Sequence, residues 1–299
     1  MKGARATPRL VFGPSVTPGE RVLPEEVAVA LSFNGTTQAV MMATPSDLED
    51  FGHGFALTEG IAGPGDILSV EVEPLPRGYD VQVWLLPEAE ARLAARRRTM
   101  SGPVGCGLCG IDSIDQALRD VPAVPPSGFR MTPAQVLTAV AALPGEQRLH
   151  DATRAVHGAA FWNGRVLLAR EDVGRHNALD KLVGGMLRAG LAPTGAVVLT
   201  SRVSTDMVQK VAMLGAPMII AVSAPTAEAV AVAETAGITL IAGTMAAVTA
   251  GRTEGGTAAL PPPSDRTALA DTAFAATVRD LRAEDAQGPL PGDELQSAL

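Results

Sequence analysis

The spacing of apolar residues predicts half-buried strands in the first third of the chain. The segments VAVALSF (27–33), ILSVEVEPL (67–75) and YDVQVWLL (79–86) alternate apolar and polar residues, as a strand does when one face lies on a core. Asn34 and Gly35 follow the first segment, and Asn-Gly is a strong signal for a hairpin turn. We therefore predict an N-terminal α+β lobe that is rich in strands.

A helix is predicted between these strands, over TPSDLEDFGHGFALTEG (44–60). Thr44 is suited to cap this helix, Pro45 to occupy its first position, and Asp47 to complete a capping box. Gly60 is a typical C-terminal stop. The buried face is expected to carry the apolar residues at helical spacing, which are Leu48, Phe51 and Phe55.

The second half of the chain has a different pattern, in which short, fully apolar runs alternate with helical stripes. Strands are predicted over 164–172, 195–201, 216–224 and 238–243, with helices between them. Strands that are apolar on both faces and alternate with helices are typical of a parallel sheet covered by helices. We therefore predict an α/β fold with a C-terminal, mostly parallel sheet that carries helices on its faces.

These patterns divide the chain into five segments. Residues 1–20 are expected to be a loose arm, 21–100 the N-terminal lobe, 101–128 a cysteine loop and linker, 129–250 the α/β domain, and 251–299 a mostly disordered tail. One stretch of the tail is suited to a docking helix, with apolar residues at Leu269, Phe274, Val278 and Leu281.

Composition narrows the classes of function. The formal net charge of −8 argues against a general nucleic-acid or membrane-surface binder. The N-terminus lacks the apolar region of a signal peptide, and no apolar stretch is long enough to span a bilayer. We therefore expect a soluble, cytoplasmic protein.

The two cysteines of the chain, Cys106 and Cys109, lie in the glycine-rich stretch SGPVGCGLCGID (101–112). GCGLCG matches the dinucleotide fingerprint GxGxxG, but no strand precedes it, so that interpretation is weak. A zinc site needs further ligands, and the HxE motif of zinc deaminases is missing, so we expect no permanent metal.

Thiol chemistry is the remaining interpretation of the pair. The IDSIDQAL segment after Cys109 predicts a helix start, where the helix dipole stabilises a thiolate. Exposed thiols among glycines suit a sulfur atom that is handed between two large partners. A dithiol-disulfide oxidoreductase is the alternative, and two structurally inert cysteines are the third interpretation.

A second polar cluster, REDVGRHNALDK (170–181), lies where a predicted strand ends and a helix begins. Ligands of open parallel sheets bind at the carboxyl ends of strands. Asp172 is expected to accept a hydrogen bond from a purine or ribose, and Arg175 to pair with phosphate. His176 or Asn177 is expected to cap the helix and leave its amides free for phosphate. An internal salt-bridge network is an equally good interpretation.

The next two strand ends add residues to the same crevice. Ser201 and Arg202 follow one strand, with Ser204 and Lys210 further along, and GTMAAV (243–248) follows the last strand. His157 precedes the run of small residues GAAFW and is interpreted as a structural histidine.

Together these segments resemble the FdhD family, the sulfurtransferases that act as accessory proteins for formate dehydrogenase. The resemblance runs from about residue 25 to residue 241, through GCGLCGID, HGAAFW, REDVGRHNALDKLVGG and SRVSTDMVQKVAMLGAP. It implies a C-terminal domain like the cytidine deaminase fold without its zinc, and a homodimer.

The resemblance also implies an activity. Cys106 would accept sulfur from a cysteine desulfurase as a persulfide, and Cys109 would assist its transfer or release. The sulfur would pass to the molybdenum bis(molybdopterin guanine dinucleotide) cofactor, a bound substrate that formate dehydrogenase needs. A cofactor-binding chaperone that moves no sulfur is the alternative within the same setting.

One loop departs from the family pattern. Relatives follow the last strand with a Gly- and Arg-containing loop that contacts the cofactor, whereas AGTMAAVTAGR (242–252) has no basic residue before Arg252. Thr244 and Met245 occupy the corresponding positions and are expected to bind the cofactor. His53 stands where relatives often carry an aliphatic residue.

Overall fold

The computed structural model describes residues 2–12, 15–99, 121–243 and 275–277. The chain opens with a two-stranded antiparallel hairpin of β1 (Ala4–Phe12) and β2 (Val16–Pro24). The expectation of a loose arm over residues 1–20 is therefore wrong. Its prolines and glycine suggested irregular backbone, but nine residue pairs join the two strands in unbroken register.

The N-terminal lobe is a four-stranded sheet covered on one face by two helices. Its strands are β3 (Val27–Phe33), β4 (Thr36–Ala43), β5 (Ile67–Leu75) and β6 (Gly78–Leu85), in the order β4-β3-β6-β5 with β3 and β6 parallel. The helices are α1 (Leu48–Thr58) and α2 (Pro87–Thr99). Phe33, Phe51, Phe55, Val81 and Leu93 belong to the core between sheet and helices.

Helix α1 begins three residues later than its sequence predicts. The residue before it, Asp47, lies in the left-handed region with φ 52° and makes no capping hydrogen bond through its side chain. The hydroxyl of Thr44 does not cap the helix, because it accepts a hydrogen bond from the backbone N of Val173, 3.1 Å away in the C-terminal lobe. Thr44, which the local sequence pattern predicts as the cap, is therefore engaged in a contact with the other lobe instead.

The C-terminal lobe contains a six-stranded mixed sheet. Its strands are β7 (His157–Trp162), β8 (Val166–Asp172), β9 (Ala196–Leu199), β10 (Met218–Ala221), β11 (Thr239–Ala242) and β12 (Ala275–Thr277). The order is β12-β11-β10-β9-β7-β8, with β9, β10 and β11 parallel and the other neighbours antiparallel. The short connection from β7 to β8 permits only an antiparallel pair. The sheet is therefore mixed, and the parallel arrangement predicted for most of it is confined to β9, β10 and β11.

Helices cover both faces of this sheet. The described helices of this lobe are α3 (Pro133–Ala142), α4 (Arg148–Thr153), α5 (Arg175–Arg188), α6 (Thr205–Leu214) and α7 (Ala227–Ala236), with a 3-10 turn at Leu143–Glu146. A further 3-10 turn, Pro64–Asp66, precedes β5 in the N-terminal lobe. Val197 and Leu199 of β9 pack with α5, α6 and α7, whereas Val198 faces α3 on the other side. This confirms the prediction of an α/β domain whose central strands are apolar on both faces.

Within the tail, the described residues 275–277 pair as a strand with β11. The docking helix expected over residues 269–281 is therefore wrong at these three positions, because their backbone continues the sheet. No helix among the described residues is long and apolar enough to cross a membrane.

The two lobes meet where α1 and α5 pack backbone against backbone. A Cβ atom on Gly54 would lie 1.7 Å from the carbonyl oxygen of Asp180, and one on Gly184 would lie 1.8 Å from the carbonyl oxygen of Asp50. Glycine at these positions is therefore required by the close approach of the helices. This contact fixes the N-terminal lobe against the helix that begins at the polar cluster.

Candidate functional site

Polar residues from several elements collect at one edge of the six-stranded sheet. Strand β8 ends there at Asp172, β9 ends there before Ser201, and antiparallel β7 begins there at His157, which pairs directly with Asp172. Helix α5 starts at the same edge with Arg175 and His176. The fold thus brings together the polar clusters that the sequence places at separate strand ends.

Asp172 faces the protein interior and is fully buried. Its Oδ1 accepts hydrogen bonds from the backbone N of Gly174 at 2.8 Å and from Asn177 Nδ2 at 3.0 Å. Its Oδ2 accepts from the backbone N of Thr44 at 3.0 Å and from Lys181 Nζ at 2.5 Å. All of its acceptor positions are used within the protein, which corrects the prediction that Asp172 contacts a purine or ribose.

Lys181 is the buried counter-charge of this carboxylate. Its Nζ also donates to the carbonyl oxygen of Thr44 at 2.8 Å and lies 5.8 Å from the ring centre of Phe51. Burial lowers the pKa of Lys181, and the carboxylate of Asp172 opposes that shift. Because Thr44 and Phe51 belong to the N-terminal lobe, this ion pair joins the lobes under the edge of the sheet.

The rest of the polar cluster is divided between the interior and the surface. Arg170 donates through Nε to Asp50 at 2.8 Å, and Glu171 accepts from the backbone N atoms of Leu149 and His150, both at 2.8 Å. Asn177 reaches the carbonyl oxygen of Met42. Arg170 therefore fits the salt-bridge interpretation, whereas Glu171 and Asn177 are held by hydrogen bonds within the protein.

The helix cap expected from Asn177 or His176 is wrong. Helix α5 begins after Gly174, and no side chain caps it. Asn177 is turned inward to Asp172, and a Cβ on Gly174 would lie 2.8 Å from its Nδ2. The first turn of α5 contains no acidic residue, which keeps the N-terminal end of the helix favourable for an anion.

Arg175 and His176 are the members of the cluster that remain at the crevice, and both are half-buried. Arg175 Nε is a buried atom without a hydrogen-bond partner in the described part of the protein. The guanidinium acts on His157, because burial and then the charge of Arg175 lower the pKa of that histidine. Arg175 therefore has one donor that no described residue uses.

His176 is held by the first turn of α6. Its Nε2 contacts Oδ2 of Asp206. Burial alone would raise the pKa of Asp206, but the hydrogen bond and charge of His176 outweigh this and hold that pKa well below its usual range. The pair ties the start of α5 to the start of α6 across the crevice.

Ser201 and Arg202 follow β9 at the same edge. Ser201 is buried and donates through Oγ to the carbonyl oxygen of Arg202 at 3.0 Å, whereas Arg202 itself is exposed. Thr200 Oγ1 accepts from the backbone N of Gly158 at 2.8 Å and so fixes this turn to β7. Arg202 is therefore open to solvent at this edge of the sheet, whereas Ser201 is not.

Lys210 was predicted to lie in the crevice, but the structure places it elsewhere. Its Nζ contacts Asp180 at 3.0 Å, Glu59 at 2.6 Å and Thr58 at 3.1 Å in a second buried network between the lobes. Burial disfavours its charge, but the carboxylates of Asp180 and Glu59 outweigh this and raise the pKa of Lys210. Sequence reasoning missed this network, although a lysine in the apolar stripe of α6 was a signal for it.

Four predicted site residues lie outside the described residues. They are Cys106 and Cys109 of the cysteine loop, and Thr244 and Met245 after β11. The described part of the site is the edge of the sheet where Arg175 and His176 begin α5 and exposed Arg202 follows β9, and we refer to this edge as the crevice. Such a set of donors suits an anionic ligand with phosphate groups.

Comparison with known proteins identifies the family. The FdhD/NarQ family model matches residues 24–247, which span the cysteine loop and the crevice. A protein named sulfur carrier protein FdhD from Agrobacterium fabrum (strain C58) is 54% identical over 228 residues, 75% of this chain and 84% of the relative. One of the same name from Bordetella bronchiseptica is 50% identical over 222 residues, 73% and 80% of the two chains.

A solved structure agrees with the fold. The crystal structure of a protein described as a candidate formate dehydrogenase accessory protein, from Desulfotalea psychrophila, superposes with a TM-score of 0.64 at 25% identity. The match covers 80% of this chain and 92% of that chain. The family model matches most of the chain, and relatives at least 50% identical are matched over 80% or more of their length. The chain therefore belongs to the FdhD/NarQ family.

Proposed function

We propose that this chain is a sulfurtransferase that carries sulfur as a persulfide on Cys106. The sulfur comes from a cysteine desulfurase and goes to the molybdenum bis(molybdopterin guanine dinucleotide) cofactor that formate dehydrogenase needs. The observation that carries the proposal is the family match over residues 24–247, in which the CxxC pair and the crevice are both included. The curated relatives in that match are named as sulfur carriers.

The loading step is an exchange between sulfur atoms. The thiolate of Cys106 attacks the terminal sulfur of a persulfide on the desulfurase, so that a new S–S bond forms and the desulfurase cysteine leaves as a thiolate. No net oxidation takes place, because one persulfide replaces another. The step needs Cys106 as an accessible thiolate, and the sequence places glycine on both sides of it.

Release can use the second thiol. If the thiolate of Cys109 attacks the Sγ atom of Cys106, the terminal sulfur leaves as hydrosulfide toward the cofactor and a Cys106–Cys109 disulfide remains. A cellular dithiol reductant must then reduce this disulfide before the next cycle. Cys109 is thus assigned to release and Cys106 to carriage.

The crevice is proposed to hold the guanine dinucleotide part of the cofactor. Arg175 Nε lacks a hydrogen-bond partner among the described residues, and a guanidinium binds phosphate in bidentate fashion. The uncapped N-terminus of α5 adds backbone donors, and exposed Arg202 adds a second cation. These residues belong to a fixed edge of the sheet, so they position the cofactor while the thiols perform the transfer.

The test is to incubate the protein with a cysteine desulfurase and cysteine and to measure its intact mass. We expect a gain of one sulfur atom in the wild type and in Cys109→Ser, and no gain in Cys106→Ser. A wild-type chain that takes up no sulfur would contradict the proposal. Catalysed turnover of a model disulfide, with reversible formation of the Cys106–Cys109 disulfide, would instead indicate a dithiol-disulfide oxidoreductase.

A cofactor-binding chaperone is the second candidate. It is favoured by the crevice itself, whose residues are held in place by contacts that do not involve the thiols, such as His176 with Asp206. If Cys106→Ala still supports active formate dehydrogenase in cells that lack the native protein, this second function replaces the first.

A further inference from the structure

The β1–β2 hairpin changes in chemistry along its length. Its cross-strand pairs form rows that run from the base of the hairpin to its tip, where Phe12 pairs with Val16. The three rows at the tip carry no charged side chain, and their members are Phe12, Val16, Val11, Thr17, Leu10 and Pro18. The fourth row pairs Arg9 with Gly19, so the first charge lies directly behind an apolar tip.

The apolar tip is open to solvent. Phe12 is 79% exposed, Leu10 60%, Val16 56% and Val11 40%. Because side chains alternate between the two faces of a strand, Leu10 and Phe12 lie on one face of the ribbon and Val11 lies on the other. The tip is therefore apolar on both faces. Exposed apolar surface of this kind marks a site of contact with a protein or a membrane.

The base of the hairpin is fixed to the body of the protein. Glu25 N donates to the carbonyl oxygen of Gly3 at 2.8 Å, and Arg21 donates to the carbonyl oxygen of Thr153 in α4 at 3.3 Å. Arg21 lies in the sixth row from the tip, and all side chains of the five rows beyond it are exposed. These five rows extend the ribbon by about 17 Å beyond its anchor.

Two arginines of the hairpin are available to an anion. Arg5 and Arg9 are exposed and form no ion pair or hydrogen bond with a described residue. With Arg21 as its third arginine and Glu20 as its one acid, the hairpin has more positive than negative charge, although the whole chain has a formal net charge of −8. The excess negative charge thus belongs to other parts of the chain, and physiological salt screens it over about 8 Å.

We propose that the tip of the hairpin inserts into the surface of an anionic lipid bilayer. Three rows of a strand span about 10 Å, which is the depth to which apolar faces of peripheral proteins enter the boundary between headgroups and acyl chains. Arg9, one row further from the tip, then lies level with the lipid phosphates. Glu20, in the fifth row, lies outside them.

The shape of the tip favours a bilayer over a protein surface. A protein surface covers one face of a ribbon, whereas lipid closes around both faces, and both are apolar here. Pairing with a strand of another protein is disfavoured, because Pro8 and Pro18 have no backbone N–H and proline at such positions blocks the addition of a strand. Pro18 also removes from the tip a backbone donor that hydrocarbon would leave unsatisfied.

The proposal does not rest on the proposed sulfur transfer. The match to the family begins at residue 24, which is the last residue of β2, so the hairpin lies almost entirely before it. Sulfur uptake by Cys106 in the absence of lipid therefore reports on the proposed function separately.

Flotation of the full chain with lipid vesicles tests the proposal. We expect binding to vesicles that contain phosphatidylglycerol and weaker binding to phosphatidylcholine alone. Leu10→Ser/Phe12→Ser should weaken binding to the anionic vesicles by about tenfold or more, because less apolar surface leaves water. Arg9→Ala should weaken it about fivefold, and added salt should reduce this difference.

Matched substitutions elsewhere control for general changes of the surface. Leu137→Ser removes a leucine that is 46% exposed on α3, and Arg165→Ala removes an exposed arginine between β7 and β8. Both variants should bind the vesicles like the wild type. Soluble glycerol phosphate should not displace the protein, since a free phosphate offers nothing to the apolar tip.

Tryptophan fluorescence locates the tip in the bilayer. The two tryptophans of the chain are Trp84, which is 37% exposed, and Trp162, which is buried. In a Trp84→Phe background, Phe12→Trp should emit at shorter wavelength when anionic vesicles are added. Lipids with brominated acyl chains should quench this emission.

Several outcomes would overturn the proposal. They are a wild type that does not bind anionic vesicles, equal binding by Leu10→Ser/Phe12→Ser, and an unshifted emission from the Phe12→Trp variant. If vesicles remain unbound while Leu10→Ser/Phe12→Ser fails to support formate dehydrogenase in cells, the tip is a contact with a protein instead. A wild type that binds vesicles but takes up no sulfur would contradict the proposed function and leave the lipid contact intact.

Discussion

Lys181 Nζ lies 2.5 Å from Asp172 Oδ2, and neither side chain has any exposed surface. The pair sits beneath the crevice and takes further hydrogen bonds from and to the backbone of Thr44, which belongs to the other lobe. The sequence suggests that Asp172, at the end of β8, contacts a ligand. In the structure this residue instead helps to join the two lobes.

Breaking this ion pair should cost much of the stability of the protein. Lys181→Met leaves the Asp172 carboxylate buried without its counter-charge, and we expect a loss of about 3–5 kcal/mol in the free energy of unfolding. Urea titration followed by circular dichroism measures it. Arg92→Ala, which breaks an exposed ion pair with Asp66, is the control and should cost much less stability. Equal losses in the two variants would contradict the structural role of Lys181.

Because α1 packs closely on α5, adding a single methyl group between them should strongly reduce the stability of the protein. Gly54→Ala places a Cβ 1.7 Å from the carbonyl oxygen of Asp180, so the helices must separate, and we expect a loss of about 3 kcal/mol or more. Gly145→Ala is the matched substitution, because nothing lies within 4 Å of its added Cβ. Thermal unfolding of both variants tests this, and an unchanged midpoint for Gly54→Ala would refute the contact.

If the crevice binds phosphate, a substitution there should weaken nucleotide binding without affecting folding. Arg175→Ala removes a guanidinium that makes no ion pair among the described residues, so we expect weaker binding of GDP by about tenfold or more with an unchanged unfolding midpoint. Calorimetric titration measures the affinity. Arg165→Ala, in the exposed turn between β7 and β8, should bind like the wild type. Unaltered affinity in Arg175→Ala would mean that the crevice does not bind phosphate.

His157 predicts a pH dependence of stability. Burial, followed by the charge of Arg175, lowers the pKa of His157 below its ordinary 6.5, so the unfolded chain binds the proton more tightly than the folded chain. The contribution of His157 to stability therefore falls as the pH drops below 6.5, until the folded histidine is protonated as well.

The variant His157→Gln isolates this effect. Between about pH 7.5 and about pH 5.5 the wild type should lose more stability than His157→Gln in urea titrations. In an Arg175→Ala background the difference between the two should shrink, because one cause of the shift is gone. A wild type and a variant with parallel pH profiles would show that His157 titrates normally.

Much of the fold follows from local patterns. Alternation along residues 27–33 and 67–75 predicts β3 and β5, and the apolar runs of the second half predict β9, β10 and β11 between helices. The errors fall where a residue has a distant partner. Thr44 reads as a helix cap, but it binds Val173 and Asp172, more than 120 positions away. The local sequence of residues 1–20 predicts irregular backbone, but pairing between β1 and β2 gives most of this segment a regular strand structure.

The candidate site divides in the same way. By itself the sequence determined that charged residues would gather at strand ends, and that two thiols would lie together in a glycine-rich loop, because spacing along the chain is enough for both. Which charges face the crevice was decided by the packing of α1 on α5. That contact buries Asp172, Asp180 and Lys181 among groups of the other lobe and leaves Arg175 and His176 outside. A charged residue turns inward only where a partner compensates the loss of water, and here the partners come from segments that the chain brings close only when it folds.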